Sequence, residues 1–206
     1  MIVIIDYGVG NLTSIKNMIK KAGAEAVISG DPAVIEKASK FILPGIGAFD
    51  HGMQHLRSAP YFDILNKRVL DEKVPVLGVC LGVQLFTESS EEGVLPGLGW
   101  IKGKVVKFRQ EKMTDSALKV PHMGWTDVTV QKDSRLFRDM HEDPRFYFVH
   151  SYHLLCDDPS DVLVNADYGY DFAAGVEKDN IVGTQFHPEK SHKFGLKIYE
   201  NFLKYY

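Results

Sequence analysis

The stretch Val74-Pro75-Val76-Leu77-Gly78-Val79-Cys80-Leu81-Gly82-Val83-Gln84-Leu85-Phe86 constrains this chain more than any other. The apolar run from Val76 to Val79 reads as a fully buried strand. It leads into Gly78-x-Cys80-x-Gly82, and an apolar-faced helix is expected to follow through Leu85 and Phe86. A strand, a tight turn flanked by glycines and a helix make a nucleophile elbow, here carrying Cys rather than Ser. Such a turn holds its nucleophile in a strained conformation, and side chains at positions 78 and 82 would crowd the neighbouring backbone. The sulfur would sit at a helix N-terminus, where the dipole favours thiolate. The amide of Leu81 can face an oxyanion. The competing reading is a buried structural cysteine, the ordinary state of a free thiol.

A second stretch favours chemistry. Ile181-Val182-Gly183-Thr184-Gln185-Phe186-His187-Pro188-Glu189 reads as a strand ending in His-Pro-Glu. Residues i and i+2 of an extended chain share a face, so Glu189 can reach the imidazole of His187 and fix its tautomer. The other ring nitrogen is then left for Cys80.

The chain has 206 residues, room for one α/β domain spanning 1–206 or at most two small ones. A net charge of -3, with no basic block, argues against a nucleic-acid binder held by phosphate contacts. Two cysteines, Cys80 and Cys156, are too few for a disulfide framework. The N-terminal apolar run lacks the basic start and longer core of a signal peptide. No stretch reaches the roughly 18 apolar residues of a membrane helix. A reducing cytoplasm is the simple expectation. No cofactor and no metal are expected.

Along the first half, Met1–Asp6, Ala26–Ile28, Phe41–Leu43 and the elbow strand alternate with helical stretches. Asn11 is a plausible cap for a helix whose apolar face is Leu12, Ile15, Ile19 and Ala22, with Gly23 as its stop. Asp31-Pro32 opens a second helix, and two more are expected near Phe49–Leu56 and Tyr61–Leu70. Such alternation predicts a parallel sheet in a layered α/β fold. The second half reads as short strands at Gly103–Phe108, Asp127–Val130, Arg145–Val149, Val162–Val164 and Phe172–Val176. These are expected to add antiparallel pairs to the parallel core. A last helix at about Lys193–Tyr205 turns Phe194, Ile198, Phe202 and Tyr205 inward. The polar loop from Arg109 to Lys119 reads as mobile.

Three further motifs have bland readings. Gly8-x-Gly10 after the first strand lacks the third glycine of a dinucleotide loop, and a turn is the simpler reading. His51 and His55 have helical metal spacing without an accompanying carboxylate or thiol, which suits a solvated helix face. Cys156 precedes Asp157-Asp158, whose charges disfavour thiolate, so it reads as structural.

Gly78-Val-Cys80-Leu-Gly82-Val-Gln84 together with Phe186-His187-Pro188-Glu189 resembles the class I, or triad, glutamine amidotransferases. Pro44-Gly45-Ile46-Gly47-Ala48-Phe49, Pro121-His122-Met123-Gly124-Trp125 and Phe146-Tyr147-Phe148-Val149-His150-Ser151-Tyr152 narrow the resemblance to the glutaminase subunits of imidazole glycerol phosphate synthases. It runs from Met1 to the last helix. It implies a three-layer fold with a mostly parallel central sheet, and hydrolysis of L-glutamine by Cys80, His187 and Glu189. It also implies an oxyanion site at the Ile46 and Leu81 amides, and a substrate pocket of Gly45, Gly47, Gln84, Ser151 and Tyr152. The implied partner is a cyclase subunit of (β/α)8-barrel type, forming a heterodimer, with Gly10, Asn11, Trp125 and Lys190 as interface candidates. The family usually has Asn where this chain has Thr126. The tail Lys190-Ser191-His192-Lys193-Phe194-Gly195 also resembles paralogues that serve sugar-amidating synthases, so a surface-sugar synthase is the alternative acceptor. Two further alternatives are a non-catalytic nucleotide-binding module built on the Gly8 loop and a γ-glutamyl peptidase that works alone.

Overall fold

The computed structural model of the protein describes residues 1–115 and 117–206. Ser116, within the loop expected to be mobile, lies outside the described residues. The first half runs β1 (Ile2–Ile5), α1 (Leu12–Lys21), β2 (Ala26–Ser29), α2 (Pro32–Glu36), β3 (Lys40–Leu43), α3 (Phe49–Ser58), α4 (Phe62–Leu70) and β4 (Val76–Val79). A single turn, α5 (Leu81–Gln84), leads into β5 (Ser89–Ser90), β6 (Gly103–Lys107), β7 (His122–Val130), β8 (Arg145–His150) and β9 (Tyr152–Cys156). Then come β10 (Val162–Asp167), β11 (Asp171–Lys178), β12 (Ile181–Thr184) and α6 (His192–Tyr205).

The local signals act as their chemistry dictates. The Asn11 side chain caps α1 by accepting from the Ser14 amide, and Asp31 caps α2 by accepting from Ala33 with Pro32 in the first turn. Gly23, at φ +87°, takes the chain out of α1 in a conformation that costs glycine little. Ile15 and Ile19 are the buried residues of α1, whereas Leu12 is half-buried. In α6, Phe194, Ile198 and Phe202 turn inward as expected, joined by Tyr199; Tyr205, also expected inward, is only half-buried, with Arg138 over its ring.

One continuous sheet has the order β2-β1-β3-β4-β12-β11-β10-β7-β8, with β9 against β11 and β6, and β5 against β6. The pairs from β2 to β12 are parallel, while those of β11, β10, β7 and β8 are antiparallel. Helices cover both faces of the parallel part. Val3, Ile5, Phe41 and Leu43 pack with Phe49, Met53 and Leu65 on one side. Ile4, Ile42, Leu77 and Val79 pack with Ile15, Ile198 and Phe202 on the other. Each such side chain, fully buried, contributes on the order of 1.5–3 kcal/mol. The expected three-layer α/β fold, mostly parallel with added antiparallel strands, is the one observed. No helix among the described residues is long and apolar enough to cross a membrane.

Three further expectations need correction. The helix after Cys80 is one turn long, because Phe86 folds back to place its ring against the backbone space at Gly78. β7 starts at His122 rather than Asp127, since His122–Asp127 pairs residue for residue with β8. β9 has no counterpart among the expected strands: only Ser151 stands between it and β8, and no glycine or proline marks the change of partner.

Candidate active site

Cys80 stands one residue beyond β4 at φ 55°, ψ -113°, in the positive-φ half of the φ,ψ map that a side chain occupies only under strain of about 1–3 kcal/mol. Its amide donates to the Thr184 carbonyl at 2.8 Å, which ties the elbow to the end of β12. Close packing enforces the glycines on either side. A Cβ at Gly82 would lie 1.9 Å from the Leu43 carbonyl oxygen, and one at Gly78 2.7 Å from the Phe86 ring. The Leu81 amide donates to no group among the described residues. Only one helical turn stands behind Cys80, and the sulfur has polar neighbours from another strand end.

Those neighbours come from β12. β4 and β12 are parallel and in register, Val79 opposite Thr184, so the residues just past both strand ends meet. His187 Nδ1 and Glu189 Oε1 are 2.7 Å apart, with both side chains 3% exposed. The His187 amide donates to the Tyr147 carbonyl at 2.9 Å, and the Ser191 hydroxyl donates to the His187 carbonyl at 2.7 Å. His187 Nε2 is buried without a hydrogen-bond partner among the described residues. Burial alone would lower the histidine's pKa, but Cys80 and Glu189 outweigh it and hold it up at about 10.

Cys80 and His187 open onto one cleft of about 450 Å³. Leu81, Gln84, Ile46 and Gly47 form part of its wall, and Ser151, Tyr152 and Lys190 stand elsewhere along it. Gly45 is not on the cleft wall: it lies behind it, where a Cβ would meet Leu81 at 2.7 Å and the Gly82 amide at 2.8 Å. The Tyr7 hydroxyl donates to the Pro44 carbonyl at 2.5 Å, just ahead of Ile46.

The interface candidates fall in two places. Gly10 packs on Pro44, beside Asn11 at the start of α1. Trp125, 42% exposed, stacks on His192 at 5.4 Å, and Lys190 lies over the Tyr147 ring at 5.6 Å. His51 and His55 are exposed, and His55 Nδ1 bonds the Tyr7 carbonyl. Burial and Asp161 push the Cys156 thiol up to about 12, consistent with a structural role.

Gln185, His150 and Glu92 join the site without having been expected there. Gln185 Nε2 points at Cys80 Sγ at 3.9 Å, and its Oε1 accepts from Gln84 Nε2 at 2.9 Å. The expected extended strand through Glu189 is not observed: β12 ends at Thr184, and Glu189 reaches His187 from a 3₁₀ turn, Pro188–Lys190, while Gln185 lies in the bend between them. His150 follows Phe146 and Phe148 inward along β8 by strand alternation and also lines the cleft.

The glutamine amidotransferase class-I family model matches residues 3–205. The chain belongs to the class-I glutamine amidotransferases. Within that class it is similar along its whole length to imidazole glycerol phosphate synthase HisH subunits, and it belongs to that family. It is 53% identical to subunit HisH 2 of Methanococcus maripaludis over 204 residues, 99% of each chain. It is 50% identical to subunit HisH 2 of Pseudomonas aeruginosa, again over 99% of each. Among solved structures, PurLQS from Thermotoga maritima shares the fold, with a TM-score of 0.72 and 18% identity over 99% of this chain and 97% of that one. The surface-sugar alternative raised by Thr126 is not favoured by these relatives.

Proposed function

We propose that the chain hydrolyses L-glutamine to glutamate and ammonia and delivers the ammonia to a second, cyclase subunit of imidazole glycerol phosphate synthase. The observation that carries this reading is the cysteine held strained on its elbow, beside a buried histidine bonded to a carboxylate at 2.7 Å, in one cleft. His187 takes the thiol proton through Nε2, and the Cys80 thiolate attacks the side-chain carbonyl carbon of glutamine. A C–S bond forms and the carbonyl becomes an oxyanion, held by the amides of Leu81 and Ile46. The C–N bond then breaks as His187 returns its proton to the nitrogen, releasing ammonia and leaving a γ-glutamyl thioester. Water, deprotonated by His187, attacks the thioester; glutamate leaves and the thiol re-forms. Glu189 holds the imidazole in the Nδ1–H tautomer throughout. Gln84, Gly47, Ser151 and Tyr152 receive the amino-acid end of the substrate, with Gly45 backing the wall.

Ammonia in neutral water is mostly ammonium, a poor nucleophile, so a partner has to take it up directly. The partner fitting this reading is a (β/α)8-barrel cyclase docked on Gly10, Asn11, Trp125 and Lys190, in a reducing cytoplasm that keeps Cys80 free. Gly47, at φ +92°, makes the adjoining Ile46 peptide easy to reorient. Turning the Ile46 amide into or out of the oxyanion site changes rate by on the order of 100- to 1000-fold. The test is glutamate release by the chain alone, with the cyclase, and with the cyclase and its ribonucleotide substrate. Slow release alone and activation by that factor in the complex are expected. Full activity of the chain alone would contradict the gating and favour a solitary peptidase. Activation only by a sugar-amidating synthase would overturn the acceptor.

A further inference from the structure

The antiparallel wall of the cleft carries a second histidine system that the reaction does not use. His122 on β7 and His150 on β8 are cross-strand partners, 1% and 7% exposed. His150 Nδ1 is 2.8 Å from the Tyr152 carbonyl, and its Nε2 is 3.1 Å from His122 Nδ1. His122 Nε2 is in turn 2.8 Å from the Thr126 hydroxyl. A carbonyl only accepts, so His150 Nδ1 carries a hydrogen. Burial, reinforced by His122, His153 and His187, holds the His150 pKa well below the usual histidine value despite the Tyr152 bond. The ring is therefore neutral and its Nε2 must accept. His122 Nδ1 must then donate, and the Thr126 hydroxyl must donate to His122 Nε2. One placement of hydrogens satisfies every group in the chain.

That chain ends where the cleft begins. The Tyr152 carbonyl also accepts from Gln84 Nε2 at 3.0 Å, and Gln84 spends its second amide hydrogen on Gln185. With both hydrogens committed, the Gln84 oxygen is left for the cleft. At the far end, Thr126 is the neighbour of exposed Trp125, and the His122 ring is clamped between Tyr168 at 4.0 Å and Phe148 at 4.8 Å. The titratable groups facing the pair are His153, His187 and Tyr168; Phe108, Phe148 and Phe172 fill the remaining sides.

We propose that His122 and His150 are positioning residues, a neutral, one-directional hydrogen-bond relay that fixes the Tyr152 carbonyl and so orients the Gln84 amide toward substrate. This rests on reading the cleft as a glutamine site. The test is His122→Phe in the full complex, which keeps a ring in the stack and removes both nitrogens. Loss of the relay should raise KM for glutamine about tenfold with kcat within about threefold, the effect of leaving one buried acceptor unpaired. His122→Asn keeps an N–H at the Nδ1 position and should bring KM back most of the way. Imidazole ¹⁵N NMR of the wild-type chain should show His150 protonated at Nδ1 and bare at Nε2, unchanged from about pH 8 to about pH 6. If His122→Phe does not fold, Thr126→Val, which removes only the hydroxyl, should raise KM by a smaller factor and shift the His122 nitrogen signals. A proton on His150 Nε2, or an unchanged KM in the folded variant tested, would overturn the relay. Failure of the wild-type complex to release glutamate would instead overturn the functional reading, an outcome distinguishable because loss of the relay alone leaves wild-type turnover intact.

Discussion

His187 and His150 are buried to a similar degree and line the same cleft, at 2% and 7% exposure, yet their pKa values move in opposite directions. His187 has a carboxylate and a thiol against its ring and is held up at about 10. His150 has a carbonyl, other histidines and aromatic rings around it and is pushed well down. Burial lowers both; only the charged partners of His187 reverse it. The lesson is a division of labour between the two halves of the sheet. The parallel half brings charge to the imidazole at its strand ends, the one proposed to move protons. The antiparallel half keeps its imidazoles neutral, so that each ring serves as a donor on one edge and an acceptor on the other.

The sharpest break of this contrast removes the charged side. Cys80→Ala and His187→Ala should each lower kcat for glutamate release by on the order of 10⁶-fold, as when either principal member of a hydrolase triad is removed. Near-unchanged melting of Cys80→Ala would show that only chemistry was lost. Substantial turnover in either variant would remove that residue from the proposed role.

Glu189→Gln should make His187 resemble His122. Losing the carboxylate should bring its pKa down from about 10 and lower kcat by on the order of 10⁴-fold, less than losing His187 itself. Imidazole NMR and pH–rate profiles read the two effects. A Glu189→Gln enzyme slower than His187→Ala would reverse the assigned roles.

A third contrast concerns stability against pH. The His122 pKa is lowered from 6.5 to about 4, mainly by burial. Its neutral state therefore favours the fold above 6.5, and that contribution is lost as pH falls toward 4. His187 runs the other way: its contribution is complete below 6.5 and erodes as pH rises through about 10. Each group contributes a slope of about 1.4 kcal/mol per pH unit within its window. Thermal melts of Cys80→Ala should lose stability on the acid side, and His122→Phe should flatten that limb. Acid-independent melting down to about pH 4.5 would contradict the buried neutral pair.

The smallest expected effect is that of Tyr7→Phe, which frees the Pro44 carbonyl ahead of Ile46. Loss of one hydrogen bond at about 1 kcal/mol should loosen the proposed oxyanion strand and change basal glutamate release several-fold, leaving the partner-activated rate closer to normal. Equal changes in both rates would place Tyr7 outside the gating.

The elbow and the layered sheet are legible because each is a local pattern, a strand run or flanking glycines; the His187–Glu189 contact is legible from their closeness in sequence, but a 3₁₀ turn makes it rather than a strand face. His150 obeys the alternation of β8 and is readable in principle, whereas Gln185 lies in the bend past β12, where no face rule applies. The link between His122 and His150 is not legible, because it depends on the antiparallel register of two strands nearly thirty residues apart. The brevity of α5 was also hidden: Leu85 and Phe86 continue the apolar pattern, and only the packing of Phe86 at Gly78 shows that the helix stops.

The most direct test of the proposed chemistry is to mix the complex with glutamine, quench with acid within one turnover, and map the adduct by peptide mass spectrometry. The expected result is a γ-glutamyl group on Cys80, carrying the mass of glutamine less ammonia, accumulating when hydrolysis is slowed and absent from Cys80→Ala. An adduct on Cys156, or glutamate release at the full rate with no acyl group ever detectable on Cys80, would contradict it.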